Sequence, residues 1–544
     1  VNIIVSLIFF IIAVMLPFKR LMTFWADFMM SLGRWRSLVI FDLMIAVPLV
    51  LFCYSIDGWY YYAAPIAIFV IAALLLLQGV YVVVVRTEVC KKHLQLVLSH
   101  YYSIAIPLAI VCLCLSIFIL GRSYIGPIVD VSDCESGRRL SVACVVTNPE
   151  DMVLTPDQQF IIVSEFGGIG LLDEVVPGDL ALVDAKTKTR VPLPIIYSDN
   201  TWGDATCQKT VNSSFGPHGL DLVKRADGRY QLGVVNHMGG ESVEMFELVA
   251  VAKESAEPMP INQPEASAAD IAPRNHWGLI WRGCVVAPKV NYLNDLSLLK
   301  DGSFFVSHMY AHGFSTNDFL KVALTKEDTG YVLHWDRQNG FSQVNGTEGA
   351  QPNGVIYDET QSLLYVAFNL GDKVLAIDAG SGELLRSYSI NGPDNLVLAG
   401  GNLWVTGLNH RILDVLRCKF LSACGLPFVV VQLDVSTLKE IERWSFHGEP
   451  FGLPTVALPL GNHVLLGSFR SDRLAYFNTR FDPSVESELE PDVESERELA
   501  DDVENQAKGE TVKGAVEGEA GGGPEPGAAE IEVEDRVGLD PLTP

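Results

Sequence analysis

Between about Ile128 and Phe481 one pattern recurs six times: a polar or Gly/Pro opening, an apolar strand, a tight polar turn, and a second apolar strand. It begins at Pro149-Glu150-Asp151 and returns at Pro217-His218-Gly219, Leu293-Asn294-Asp295, Pro352-Asn353-Gly354 and Pro393-Asp394-Asn395. A sixth copy at Phe451-Gly452-Leu453-Pro454 keeps the strands and loses the polar opening. Short runs of Val, Ile, Leu and Tyr punctuated by Gly, Asp, Asn and Pro are strand-and-turn texture. Units of about 60 residues repeated six times predict an all-β six-bladed propeller over 128–481, in which no sheet buries both faces until its neighbours stack on it. No helix-period stretch of comparable strength interrupts the run.

The flanks are of different kinds. Four apolar stretches precede the repeat, Asn2 to Phe18, Ser37 to Ile56, Ala63 to Val85 and Tyr101 to Leu120. Each is near the ~20 residues that cross hydrocarbon, so residues 1–121 are expected to be an α-helical transmembrane region of about four helices in a lipid bilayer. Lys19, Arg20, Arg34 and Arg36 follow the first span, and Arg86, Lys91 and Lys92 follow the third. The positive-inside rule then places those loops in the cytoplasm and the repeat region on the extracytoplasmic side. Asp42, the one acid within a span, is expected to pair or snorkel near the cytoplasmic end. Beyond the repeat, residues 482–544 hold 20 Asp and Glu against 4 Lys and Arg, which supplies 16 of the net 26 negative charges. So acidic and apolar-poor a tail is expected to be disordered, and it speaks against nucleic acid as a partner.

If each opening starts the innermost strand of a blade, five of them deliver side chains to one end of the central channel. The set is Glu150, Asp151, His218, Asn294, Asp295, Asn353, Asp394 and Asn395. Carboxylates and amide carbonyls are hard oxygen ligands, and several of them without a cysteine form a calcium coordination set. Six cysteines lie outside the membrane region, Cys134, Cys144, Cys207, Cys284, Cys418 and Cys424. An even set in an oxidising location is compatible with disulfides, of which Cys418 to Cys424 closes most easily, and the connectivity stays open.

These openings, together with FGPHG at 215–219, VVNH at 234–237, LND at 293–295 and PNG at 352–354, resemble the motifs of the paraoxonase (arylesterase and lactonase) family in their order. The resemblance runs over roughly 130–478 and implies two calcium ions. A catalytic ion would fall to Glu150, Asn294, Asn353, Asp394 and Asn395, and a structural ion to Asp151, Asp295 and the backbone carbonyl of Leu220. It implies a water-activating pair, His218 and His237, and an ester or lactone as small-molecule substrate, with His308, His312 and His410 as further candidates for the pocket. It also implies a disulfide from the start of the propeller to its end; Cys134 could supply one partner, but no cysteine lies near Tyr476 and Phe477, so ring closure must rest on strand pairing. The insertion at about 253–273 has no counterpart in the family. A gluconolactonase- or strictosidine synthase-like propeller, or a non-catalytic calcium-stabilised binding propeller, are the alternatives. No Gly-x-Ser-x-Gly elbow is present, which disfavours a covalent serine route.

Overall fold

The computed structural model describes residues 2–480 apart from 25–34, 168–175, 208–214, 252–275, most of 411–422 and a few single positions. The acidic tail at 482–544 and the insertion at 253–273 therefore lie outside the described residues.

Six sheets form the ring, each with an antiparallel run of strands going outward in chain order from the innermost; the second and sixth carry an outer strand from earlier in the chain. The innermost strands are Pro149–Leu154, Pro217–Lys224, Asn291–Leu298, Pro352–Asp358, Leu396–Ala399 and Pro454–Leu460. Each packs against the innermost strands on either side, so these six line the channel. The second strands, such as Phe160–Glu165 and Leu363–Phe368, are buried along their whole length. Such a strand is covered on both faces by neighbouring blades, which is why it reads as a continuous Val, Ile, Leu and Phe run instead of an alternating one. Cores of apolar side chains fill the space between blades; Leu363, Tyr365 and Ala376 of the fourth pack on Leu403, Val405 and Val431 of the fifth.

The ring closes by strand pairing, as expected. Ser141–Ala143 adds to Leu474–Asn478 as the outer strand of the sixth blade, with Ser141 opposite Tyr476. Cys134, the candidate for a disulfide to the far end, pairs instead with Cys144. Cys207 joins Cys284 and Cys418 joins Cys424. Two elements depart from the repeat. A fifth strand, Ile195–Tyr197, runs parallel to the edge of the second blade. A helix, Thr316–Thr325, interrupts the third blade, opened by a capping box between Ser315 and Asp318. Only ten residues long, it escapes a search for strong helical periodicity.

Ahead of the ring lie helices α1 (Asn2–Met15), α2 (Trp35–Tyr54), α3 (Ala63–Val84), α4 (Thr87–Ser99) and α5 (Tyr101–Gly121). Among the described residues two apolar helices, Ala63–Tyr81 and Tyr101–Gly121, are long enough to cross a membrane, against the four spans expected. The first span yields a 14-residue helix, about 21 Å at 1.5 Å per residue, while the second lies in the 20-residue α2. The basic stretch around Lys91 and Lys92, expected as a loop, is helical in α4. Asp42 is buried beside Gly79, and its Oδ2 has no hydrogen-bond partner among the described residues; the Arg36 side chain, its expected neighbour, lies outside them. The turn between α2 and α3 reaches the propeller: Tyr62 and Tyr124 pack with Leu426, Leu453 and the Cys418–Cys424 bridge.

A candidate metal centre and a histidine relay

The first residues of the inner strands do not follow the sheet ladder. Register shifts fall between Pro149 and Asp151, Pro217 and Leu220, Leu293 and Leu296, and Pro352 and Val355. A bulge frees one or two residues from pairing and re-aims their side chains. The freed residues here are Glu150, His218, Gly219, Asn294, Asp295, Asn353 and Gly354. The glycines are required by proximity: a Cβ on Gly219 would stand 2.5 Å from the Cα of Asp295, and one on Gly354 would stand 2.4 Å from the carbonyl oxygen of Asp394.

Neighbouring blades are stitched at this level. Asp151 Oδ2 accepts from Leu220 N–H at 2.8 Å and Asp295 Oδ2 accepts from Val355 N–H at 2.8 Å. The Asn395 amide donates to Glu150 Oε1 at 3.0 Å across the join between fifth and first blades. Asn353 hydrogen-bonds Asp394, and the Asn369 amide reaches Asp394 Oδ2 at 3.4 Å.

Among the described residues, the buried oxygens without a hydrogen-bond partner include one from each of five residues at these openings: Glu150 Oε2, Asn294 Oδ1, Asn353 Oδ1, Asp394 Oδ1 and Asn395 Oδ1; Gln351 Oε1, near Asn353 in sequence, is another. The five at the openings belong to the residues assigned to one ion from sequence. Buried acceptors are rarely left unpaired, because desolvation without compensation costs about 1–3 kcal/mol each. The amide nitrogens are directed away from these five atoms, Asn294 Nδ2 to Met309 Sδ at 3.3 Å and Asn395 Nδ2 to the other oxygen of Glu150. An acceptor-only set of two carboxylates and three amide oxygens fits a hard dication. Among the described residues no group of three or more His, Cys, Asp and Glu that could hold a metal is present; this set exceeds two only through its amides.

Charge makes the same demand. Burial pushes the Glu150 carboxyl well up, reinforced by the carboxylates of Asp151, Asp394 and Asp295. Asp394 is pushed up to about 8, chiefly by burial, and Asp151 to about 7 for the same reason. Burial and the Asp151 carboxylate raise Asp295. Besides burial, the groups raising these values are one another and Asp221, which adds to Asp151 and Asp295. Both oxygens of Asp151 and of Asp295 already accept one backbone N–H each, which leaves one lone pair per oxygen for a second ion.

Beside this cluster the two histidines meet. His218 Nδ1 and His237 Nε2 are 3.0 Å apart, and His218 Nε2 points at Glu150 Oε1 from 3.5 Å. Burial holds His218 well below the usual imidazole range, with His237 adding to the effect, so it is neutral. Phe166 stacks on His218 at 4.6 Å and Tyr292 on His237 at 4.5 Å between centroids. Sequence motifs missed one member: Glu241, whose Oε1 lies 2.9 Å from His237 Nδ1. Two positive-φ glycines, Gly239 and Gly240, turn the chain between them, so a Gly-Gly turn followed by an acid was the available signal. Of the remaining candidates, His308 binds the backbone of Tyr292 and His312 meets the Tyr292 ring edge-on, so both support that wall. His410 bonds the Pro427 carbonyl.

No family model matches the chain, and no curated protein matches it. Solved structures similar in fold include a luciferin-regenerating enzyme, at 10% identity and TM-score 0.35 over 61% of this chain and 91% of that one. A periplasmic gluconolactonase of Pseudomonas aeruginosa follows at 16% identity and TM-score 0.34, covering 62% and 82%. Regucalcin, a calcium-binding protein of Agrobacterium tumefaciens, stands at 9% and 0.33, covering 66% and 92%. At these identities and scores the likenesses carry no argument about chemistry, and the paraoxonase family remains a resemblance borne by the motifs.

Proposed function

We propose that the chain is a membrane-anchored, calcium-dependent hydrolase of esters or lactones. The observation that carries the reading is the set of five orphaned oxygens beside two histidines within hydrogen-bond distance of each other. Glu150, Asn294, Asn353, Asp394 and Asn395 would hold the catalytic calcium, and Asp151, Asp295 and the Leu220 carbonyl a structural one. Calcium, when bound, supplies Lewis-acid polarisation of the carbonyl and charge stabilisation for the oxyanion.

The chain's own residues do the rest. His218 Nε2 takes a proton from water as the water oxygen bonds to the carbonyl carbon, and the proton is then passed to the departing alkoxide. General-base assistance of this kind is worth about 10²–10⁴ in rate. Phe166 and Tyr292 fix the imidazole planes and keep bulk water off their faces. Anchoring is supported by the apolar helices, whose spanning windows are only 28% and 22% buried, as lipid-facing surfaces would be. An extracytoplasmic propeller would agree with the loop charges and with the three disulfides.

Turnover of an aryl acetate and a panel of lactones, with and without chelator, tests the reading. His218→Gln should leave calcium-dependent melting intact and cut turnover by about 10²–10⁴. Calcium-dependent melting with no turnover of any substrate would favour a binding propeller instead.

A further inference from the structure

Glu241 is buried, and its hydrogen bonds run to His237 and the Leu293 backbone. Its two oxygens lie 2.9 and 3.0 Å from His237 Nδ1, and Oε2 also accepts from Leu293 N–H at 3.0 Å. A carboxylate is an acceptor only, so His237 Nδ1 must carry the proton. His237 is then left with a bare Nε2, and a bare Nε2 at 3.0 Å from His218 Nδ1 requires that Nδ1 carry the next proton. The proton of His218 is thereby placed on Nδ1, and its Nε2 keeps a lone pair. The opposite polarity would set the His237 Nδ1 lone pair against a carboxylate at hydrogen-bond distance. We infer that Glu241 is a positioning residue that fixes the tautomer of both imidazoles through one chain of hydrogen bonds, so that His218 Nε2 faces the metal centre as a free base.

The inference rests on the hydrolase reading only for its effect on rate; the tautomers themselves stand apart from it. When His218 Nε2 takes a proton, Glu241 also pairs the positive charge through His237. The role follows from the hairpin: Gly239 and Gly240 at φ 71° and 100° bring residue 241 back over residue 237. The stacked rings of Phe166 and Tyr292 allow the imidazoles no rotation that would break the chain without losing those contacts.

Glu241→Gln is the informative change because the amide fits the same space with both contacts kept. Its oxygen can accept from Leu293 N–H while its NH₂ donates to His237 Nδ1, which reverses the chain and puts a proton on His218 Nε2. Expected are unchanged calcium-dependent melting, an unchanged KM, and a kcat lower by about 10²–10⁴, as for a base held in the wrong tautomer. Glu241→Asp, still an acceptor, should recover part of the loss. The direct readout is ¹⁵N NMR of histidine-labelled full-length protein in detergent. The wild type should show His218 Nε2 unprotonated, and Glu241→Gln should show it protonated. This measurement decides the inference even if no substrate is turned over or the glutamine variant fails to fold. A protonated His218 Nε2 in the wild type, or wild-type kcat in Glu241→Gln, would overturn it.

Discussion

Replacing Asp394 by Asn should change stability with opposite sign in chelator and in calcium. Asp394 is pushed up to about 8, mainly by burial, against about 3.9 in an unfolded chain. A carboxyl whose folded value is raised binds its proton more tightly in the native state. The metal-free fold therefore has this stability in full below about pH 4 and loses it as pH climbs through about 8. At about 1.36 kcal/mol per unit the loss at pH 7.5 has a ceiling near ~5 kcal/mol. Asp394 is only half-buried and interacts with Asp151, so about 2 kcal/mol is the amount expected to be relieved by an uncharged isostere. For a domain of this size that is a rise of roughly 4 °C in melting temperature in excess chelator at pH 7.5. In calcium the same change removes one of two ligand charges, and a hundredfold weaker site costs ~2.7 kcal/mol by mass action, more than is gained in chelator. Melting should then fall. Thermal melts of the detergent-solubilised chain in chelator and in ~1 mM calcium read both signs. A fall of equal size in both media would refute the argument, because the carboxylate would then be acting only as a hydrogen-bond acceptor.

Three further outcomes follow from the same geometry. Gly354→Ala places a Cβ 2.4 Å from the Asp394 carbonyl oxygen and 2.7 Å from the Asn395 Cα, so it should cost about 1–3 kcal/mol and raise the calcium midpoint, both read in a calcium-dependent melt. Asn353→Ala should abolish turnover in protein that still folds, whereas Asp295→Ala, which loses the tie to Val355 N–H, should lower yield and melting temperature before it lowers specific activity. Protease added to right-side-out vesicles should cut the propeller and tail and spare the basic segments near Lys19 and Lys91; protection of the tail would reverse the orientation.

The propeller was legible because its repeat is a packing requirement: each blade needs the same two buried strands and the same turn. The ligand residues were legible because Glu150, Asn294, Asn353 and the Asp394-Asn395 pair recur at one phase of that repeat, and bulges at nearly every opening turn them inward. Glu241 was not legible, since it sits one hairpin beyond its motif and its meaning depends on a turn geometry that composition does not specify. The Ile195–Tyr197 strand and the Thr316–Thr325 helix were missed because both lie outside the repeat. Of the four spans expected from apolarity, two are helices long enough to cross a membrane among the described residues, and α1 ends after 14 residues. The Cys134–Cys144 pairing shows a local partner taking a cysteine for which the resemblance implied a distant one.

Calorimetric titration of calcium into the chelator-stripped full-length protein tests the central claim most directly. The account predicts two equivalents of saturable calcium, the tighter-coupled one lost in Asn353→Ala, together with a rise in melting temperature on binding. No saturable binding and no change in melting up to millimolar calcium would mean that the five orphaned oxygens are satisfied by water, and the metal centre would have to be abandoned.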